Sequence, residues 1–201
     1  MAGPVLLLGG DEFTTAYDEL DRGLLAEADT TTVTLLPTAA AYEDPDRLIA
    51  AATEHFAPLG ATVETVPVLM RRDAVDPALA DEVRASSFVY LVDGSAMHIE
   101  SVLKRSAVWE ALVAAHERGA VVAASGASGR ALCDPMVDPR GGGFAVGLGL
   151  VSGVSFVPRA ESWSDERARR VRHLAPRGIE LHAIASGGHV LLEDHPGTGN
   201  T

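Results

Sequence analysis

Ala120-Val121-Val122-Ala123-Ala124-Ser125-Gly126-Ala127-Ser128-Gly129-Arg130-Ala131-Leu132 passes from an apolar run through a cluster of small residues into a second segment. It reads as a buried strand bending sharply into a helix, the junction of a β-α unit. Short apolar runs of the same kind recur along the chain. They predict strands at Pro4–Leu8, Thr31–Leu36, Thr62–Val66 and Phe88–Val92, with weaker ones at Gly153–Phe156, Ile179–Ala183 and His189–Leu192. Amphipathic stretches between them predict helices at Thr14–Glu27, Asp46–Leu59, Pro77–Arg84, His98–His116 and Ser164–His173. Buried parallel strands need helical crossovers on both faces, and this order supplies them. The expected fold is a three-layer α/β sandwich with a mostly parallel central sheet.

With 201 residues, the chain is expected to form one domain over residues 1–194, followed by a flexible tail at 195–201. The net charge of −12 argues against a nucleic-acid-binding surface. The first apolar run, Val5–Leu8, is short for an export signal, and Gly141–Pro158 carries too many glycines for a membrane span. Cys133, the only cysteine, has no partner for an internal disulfide and suits a cytoplasmic setting. The histidines follow no zinc-ligand spacing, and neither a metal nor a cofactor is expected.

Ligands of such folds gather beyond the carboxyl ends of the strands. Four junctions meet that condition: Gly9-Gly10-Asp11-Glu12, Pro37-Thr38-Ala39, Asp93-Gly94-Ser95 and Ser125–Gly129. The last has the form of a nucleophile elbow, which presents one side chain beside backbone N–H groups able to stabilise an oxyanion. The glycine spacing makes Ser128 a candidate nucleophile, although Arg130 stands where a second glycine belongs. A small-residue turn that relieves strain or binds an anion is the alternative. Asp11 and Glu12 can cap the first helix, hold a ligand amine or face solvent.

Beyond these local patterns, the chain resembles the serine peptidase family of dipeptidase E and cyanophycinase. The similarity runs through Leu8-Gly9-Gly10-Asp11-Glu12-Phe13, Leu36–Ala40, Tyr90–Gly94, Met97-His98 and Val108-Trp109. It continues through Cys133-Asp134-Pro135-Met136-Val137-Asp138-Pro139-Arg140-Gly141-Gly142 and Gly147-Leu148-Gly149-Leu150. The resemblance implies a class I glutamine-amidotransferase-like (flavodoxin-like) fold, a homodimer and a small peptide or amino-acid-like ligand.

It also implies a register for the elbow. Ala124 takes the place of the first glycine of the family pattern, and Gly126 that of the nucleophile. Ser128 falls two residues beyond the tip. Arg159 stands where relatives carry the catalytic histidine, and a guanidinium cannot accept a proton from a hydroxyl. Asp93 replaces the first glycine of a pair that contributes to the oxyanion pocket, and Ala183–Gly188 lacks the acids common near the carboxyl terminus.

The leading expectation is a catalytically degenerate relative with a binding cleft formed by Asp11, Glu12, Asp93, Gly94, Ser95, Ala127, Arg130 and Arg159. A second is an active hydrolase that recruits Ser125 or Ser128, with a base such as His98. A third is a cyclase or isomerase that works without a covalent intermediate through Asp93, Glu12 or Arg159. Cys133 is expected on the helix after the elbow. His55, His116, His173 and His195 show no partner by spacing.

Overall fold

The computed structural model describes residues 1–141 and 143–193; the predicted tail at 195–201 lies outside them. Strands β1 (Val5–Leu8), β2 (Thr32–Leu36), β3 (Thr62–Thr65), β4 (Phe88–Leu91), β5 (Val121–Ser125) and β12 (His189–Leu192) build a six-stranded sheet in the order β12-β1-β5-β4-β2-β3. All its pairings are parallel except that of β12 with β1. The helices are α1 (Asp18–Glu27), α2 (Pro45–Phe56), α3 (Arg71–Ala74), α4 (Pro77–Ala85), α5 (Ala96–Leu103), α6 (Ala107–Glu117), α7 (Gly126–Leu132) and α8 (Asp165–Leu174).

Strand periodicity divides the core in two. Val5, Leu7, Val89, Leu91, Val122 and Ala124 face a cluster shared with Ile99, Leu103, Leu112 and Leu132. Leu6, Leu8, Phe88, Tyr90, Val121 and Ala123 face another, with Leu24, Leu25 and Phe56. The strands are apolar on both faces because helices cover both, which makes this the predicted three-layer arrangement.

After α7 the chain forms short strands β6 (Cys133–Asp134), β7 (Met136–Val137), β8 (Phe144–Ala145) and β9 (Val151–Ser152). It then forms a separate parallel pair, β10 (Val154–Pro158) with β11 (Glu180–Ile184). This second layer brings Pro158 and Arg159 back over the end of β1, where the Arg159 N–H donates to the Gly9 carbonyl at 2.9 Å.

Three local expectations need correction. The single helix over 98–116 is two, because Arg105 turns to φ +54 and the Ser106 hydroxyl caps α6 by accepting from the Trp109 N–H. Cys133 opens β6 rather than lying on a helix; it is fully buried, and burial pushes its thiol pKa well up, with Asp134 adding to the shift. Asp11 and Glu12 do not cap the first α-helix, which begins only at Asp18. Among the described residues, no helix is long and apolar enough to cross a membrane.

Candidate active site

The four predicted junctions converge. A Cβ on Gly94, at φ +150, would overlap the Ala39 carbonyl, and the Ser95 N–H donates to that same oxygen at 2.8 Å. Ser95 also caps α5 by accepting from the His98 N–H at 3.2 Å. Glu12 reaches across from the end of β1. One of its oxygens accepts from the Asp93 N–H at 3.0 Å, and the other from the Ser125 hydroxyl at 2.7 Å.

The elbow bends at Gly126, whose φ of +52 is the left-handed conformation that the sharp turn requires. A Cβ there would overlap the Asp93 carboxylate. That carboxylate lies in the mouth of the elbow. Its Oδ1 accepts from the N–H groups of Gly94 and Ala127, each at 2.7 Å. An N–H directly after the tip and one from a neighbouring loop are the donors that would face an oxyanion formed at such a turn. Asp93 Oδ2 pairs with the guanidinium of Arg159. The space, the two donors and the cation are therefore all taken by one side chain.

Arg159 is held firmly. It adopts φ +49, unusual for a side chain with a Cβ, and its guanidinium lies over the bare backbone of Gly10, where a Cβ would sit 3.0–3.1 Å from it. Burial works against its charge, but Asp93 first, then Glu12 and Asp11, outweigh burial and hold its pKa above the ordinary arginine value. Tyr17 braces the same turn by donating to the Gly10 and Gly188 carbonyls at 2.8 and 3.2 Å. Burial, reinforced by Asp11 and Glu12, pushes its phenol up to about 12.

The other candidates are placed elsewhere or are already engaged. Ser128 is fully buried and donates to the Val92 carbonyl at 2.5 Å. Ser125, also fully buried, is committed to Glu12. His98 hydrogen-bonds through Nε2 to the Leu69 carbonyl at 2.8 Å and stands edge-on to Tyr42, so its ring is committed outside the elbow. Asp11 is exposed at the rim. Among the described residues, no group of three or more His, Cys, Asp or Glu side chains is arranged to hold a metal ion.

Sequence reading missed two features. His55 has a partner after all: its Nε2 meets the buried Asp21 carboxylate at 2.7 Å. The pair joins α1 to α2 across 34 residues, a tertiary contact with no local spacing signal. The second is Arg167 on α8, which approaches Arg130 closely enough to oppose its charge. A basic residue on an amphipathic helix carries no sequence mark that distinguishes it from a solvated one.

Residues 5–136, more than half the chain, match the model of peptidase family S51. The crystal structure of a peptidase from an acI-B1 Actinobacterium superposes with a TM-score of 0.84 at 20% identity, covering 96% of this chain and 84% of that one. A protein assigned as a candidate peptidase E from Listeria monocytogenes EGD-e gives 0.74 at 15% identity, covering 96% and 95%. None of the curated proteins searched matches.

Proposed function

The chain belongs to peptidase family S51, and from that premise we propose that it is a degenerate member, one that keeps the fold and binds a ligand in the cleft without hydrolysing it. One observation carries this reading. The Asp93 carboxylate stands where a side chain at position 126 would project, and it accepts the Gly94 and Ala127 N–H groups that an oxyanion would need. A negative charge fixed there opposes the charge that develops in acyl transfer. Arg159, paired with Asp93, supplies no base.

What remains accessible suits a zwitterion. The Arg159 side chain is 43% exposed beside Asp93 and can take a ligand carboxylate on its outer edge. Asp11 is exposed at the rim and can hold an amine. A small peptide or amino-acid-like molecule fits that pairing, and a homodimer belongs to the same reading.

The test is labelling with a fluorophosphonate probe. The wild-type chain is expected to remain unlabelled. Gly126→Ser alone is expected to stay inert and lose stability, because the new side chain meets Asp93. Combining Gly126→Ser with Asp93→Gly and Arg159→His clears the space, frees the two donors and adds an imidazole; this variant is expected to label. Stoichiometric labelling of the wild type, abolished by Ser125→Ala or Ser128→Ala, would overturn the proposal.

A further inference from the structure

One turn beyond the elbow, Arg130 is an anomaly. The residue is only 9% exposed, and its Nε is buried with no hydrogen-bond partner. Arginine is rarely buried this deeply without a carboxylate or a set of carbonyls around it, since an unpaired buried charge is costly. Two carboxylates act on it, those of Asp93 and Asp138, and both are committed elsewhere. Asp93 is saturated by Gly94, Ala127 and Arg159. Asp138 is taken by Arg140, which donates to it from its backbone N–H at 2.8 Å and from its guanidinium at 3.0 and 2.9 Å.

The neighbouring Arg167 repeats the pattern. Its guanidinium stacks 3.9 Å over the Trp163 ring and donates once to the Pro139 carbonyl at 2.9 Å, while its Nε is buried without a partner. Two cations thus oppose each other, each with a buried N–H that has no acceptor. Burial first, and then Arg167, pull Arg130 down to about 10, still well above neutral pH. Arg130 therefore stays charged.

We propose that Arg130 and Arg167 together bind a phosphate dianion, which places the phosphate group of a small phosphorylated ligand at the end of the cleft beyond Asp93 and Arg159. The inference rests on the reading that the cleft binds rather than hydrolyses. A dianion neutralises both guanidinium groups, and its oxygens match their planar donor edges. The Trp163 face holds Arg167 in place, so little side-chain freedom is lost on binding. The chain as a whole carries −12, so its overall field repels anions and any phosphate affinity must come from this local site.

The experiment titrates inorganic phosphate into the purified chain, followed by calorimetry and thermal melting, against chloride at matched ionic strength. Wild type is expected to bind saturably and to melt higher with phosphate. Arg130→Met and Arg167→Gln are each expected to weaken binding about tenfold or more. Without phosphate, Arg130→Met is expected to melt above wild type, since it removes a buried unpaired charge and keeps much of the volume. Phosphate affinity unchanged in Arg130→Met, or no saturable binding in wild type, overturns the site. Saturable succinate binding with phosphate inert overturns the choice of phosphate. Fluorophosphonate labelling in parallel keeps the two readings separate: labelled wild type sinks the non-hydrolytic cleft, while phosphate indifference sinks this site alone.

Discussion

Asp93 and Asp21 are both largely buried carboxylates with a basic partner, yet their surroundings differ in kind. Asp93 is saturated, with two N–H donors on one oxygen and a guanidinium on the other. Asp21 lies in the core between α1 and α2; only one of its oxygens has a partner, His55 Nε2, and Oδ1 has none. Burial accordingly pushes the Asp21 pKa up against the opposing pull of His55. The number of donors, more than the presence of a cation, decides whether a buried carboxylate is comfortable. At the elbow the backbone supplies those donors because the turn already aims them outward.

The largest test of this contrast removes each basic partner. His55→Ala strands Asp21 beside the rings of Phe13 and Phe56, which pack around His55. The expected loss is about 3–5 kcal/mol in urea denaturation, the usual consequence of leaving a buried charge alone. Arg159→Ala leaves Asp93 with its two N–H donors, and the lost partner is 43% exposed, so solvent screening keeps the expected loss to about 1 kcal/mol or less. A larger loss for Arg159→Ala than for His55→Ala would reverse the contrast.

The same contrast separates what was legible in the sequence from what was not. The strands could be read because parallel strands covered on both faces must be apolar throughout, as Leu6-Leu7-Leu8 and Val121-Val122 are. Gly126, Asp93 and Arg159 could be singled out because a tight turn restricts which residues fit, so departures from a known pattern stand out. That the Asp93 carboxylate would take over both elbow donors could not be read, since it depends on one side-chain torsion. The break at Arg105 was hidden because apolar spacing continues across it, from Leu103 to Val108. His55–Asp21 and Arg130–Arg167 were hidden for a different reason: each joins elements distant in sequence, and charged residues on helices look alike until packing buries some of them.

A smaller effect sharpens the comparison through pH. The folded pKa of Asp21 lies above the ordinary 3.8, so between those values the folded chain keeps a proton that the unfolded chain has lost. Stability therefore falls as pH rises through that window. Asp138 has the opposite sign. The hydrogen bond from the Arg140 side chain, followed by that from its backbone, holds the pKa of Asp138 below 3.8. Its contribution is present above 3.8 and is lost as pH falls through the folded value. Urea midpoints measured from acid to neutral pH are expected to show that Asp21→Asn gains on wild type with rising pH. Asp138→Asn is expected to lose part of the acid sensitivity below 3.8. Slopes of the same sign in both variants would mean that donor count does not set these carboxylates apart.

The smallest effect is expected from Ser128, the serine most conspicuous in the sequence. Its hydroxyl is wholly buried and donates to the Val92 carbonyl, just ahead of Asp93. Ser128→Ala removes one neutral hydrogen bond and leaves a methyl group in a packed site, at an expected cost of about 1 kcal/mol. Because Asp93 draws its donors from Gly94, Ala127 and Arg159, none of which Ser128 touches through that bond, the saturated carboxylate should survive the change. Calorimetric affinity for phosphate and the absence of fluorophosphonate labelling are both expected to match wild type. A loss of binding out of proportion to so small a change in stability would show that the Val92 carbonyl, and through it the Asp93 turn, depends on the hydroxyl. The two serines of the elbow would then belong to the site's architecture as fully as its charges do.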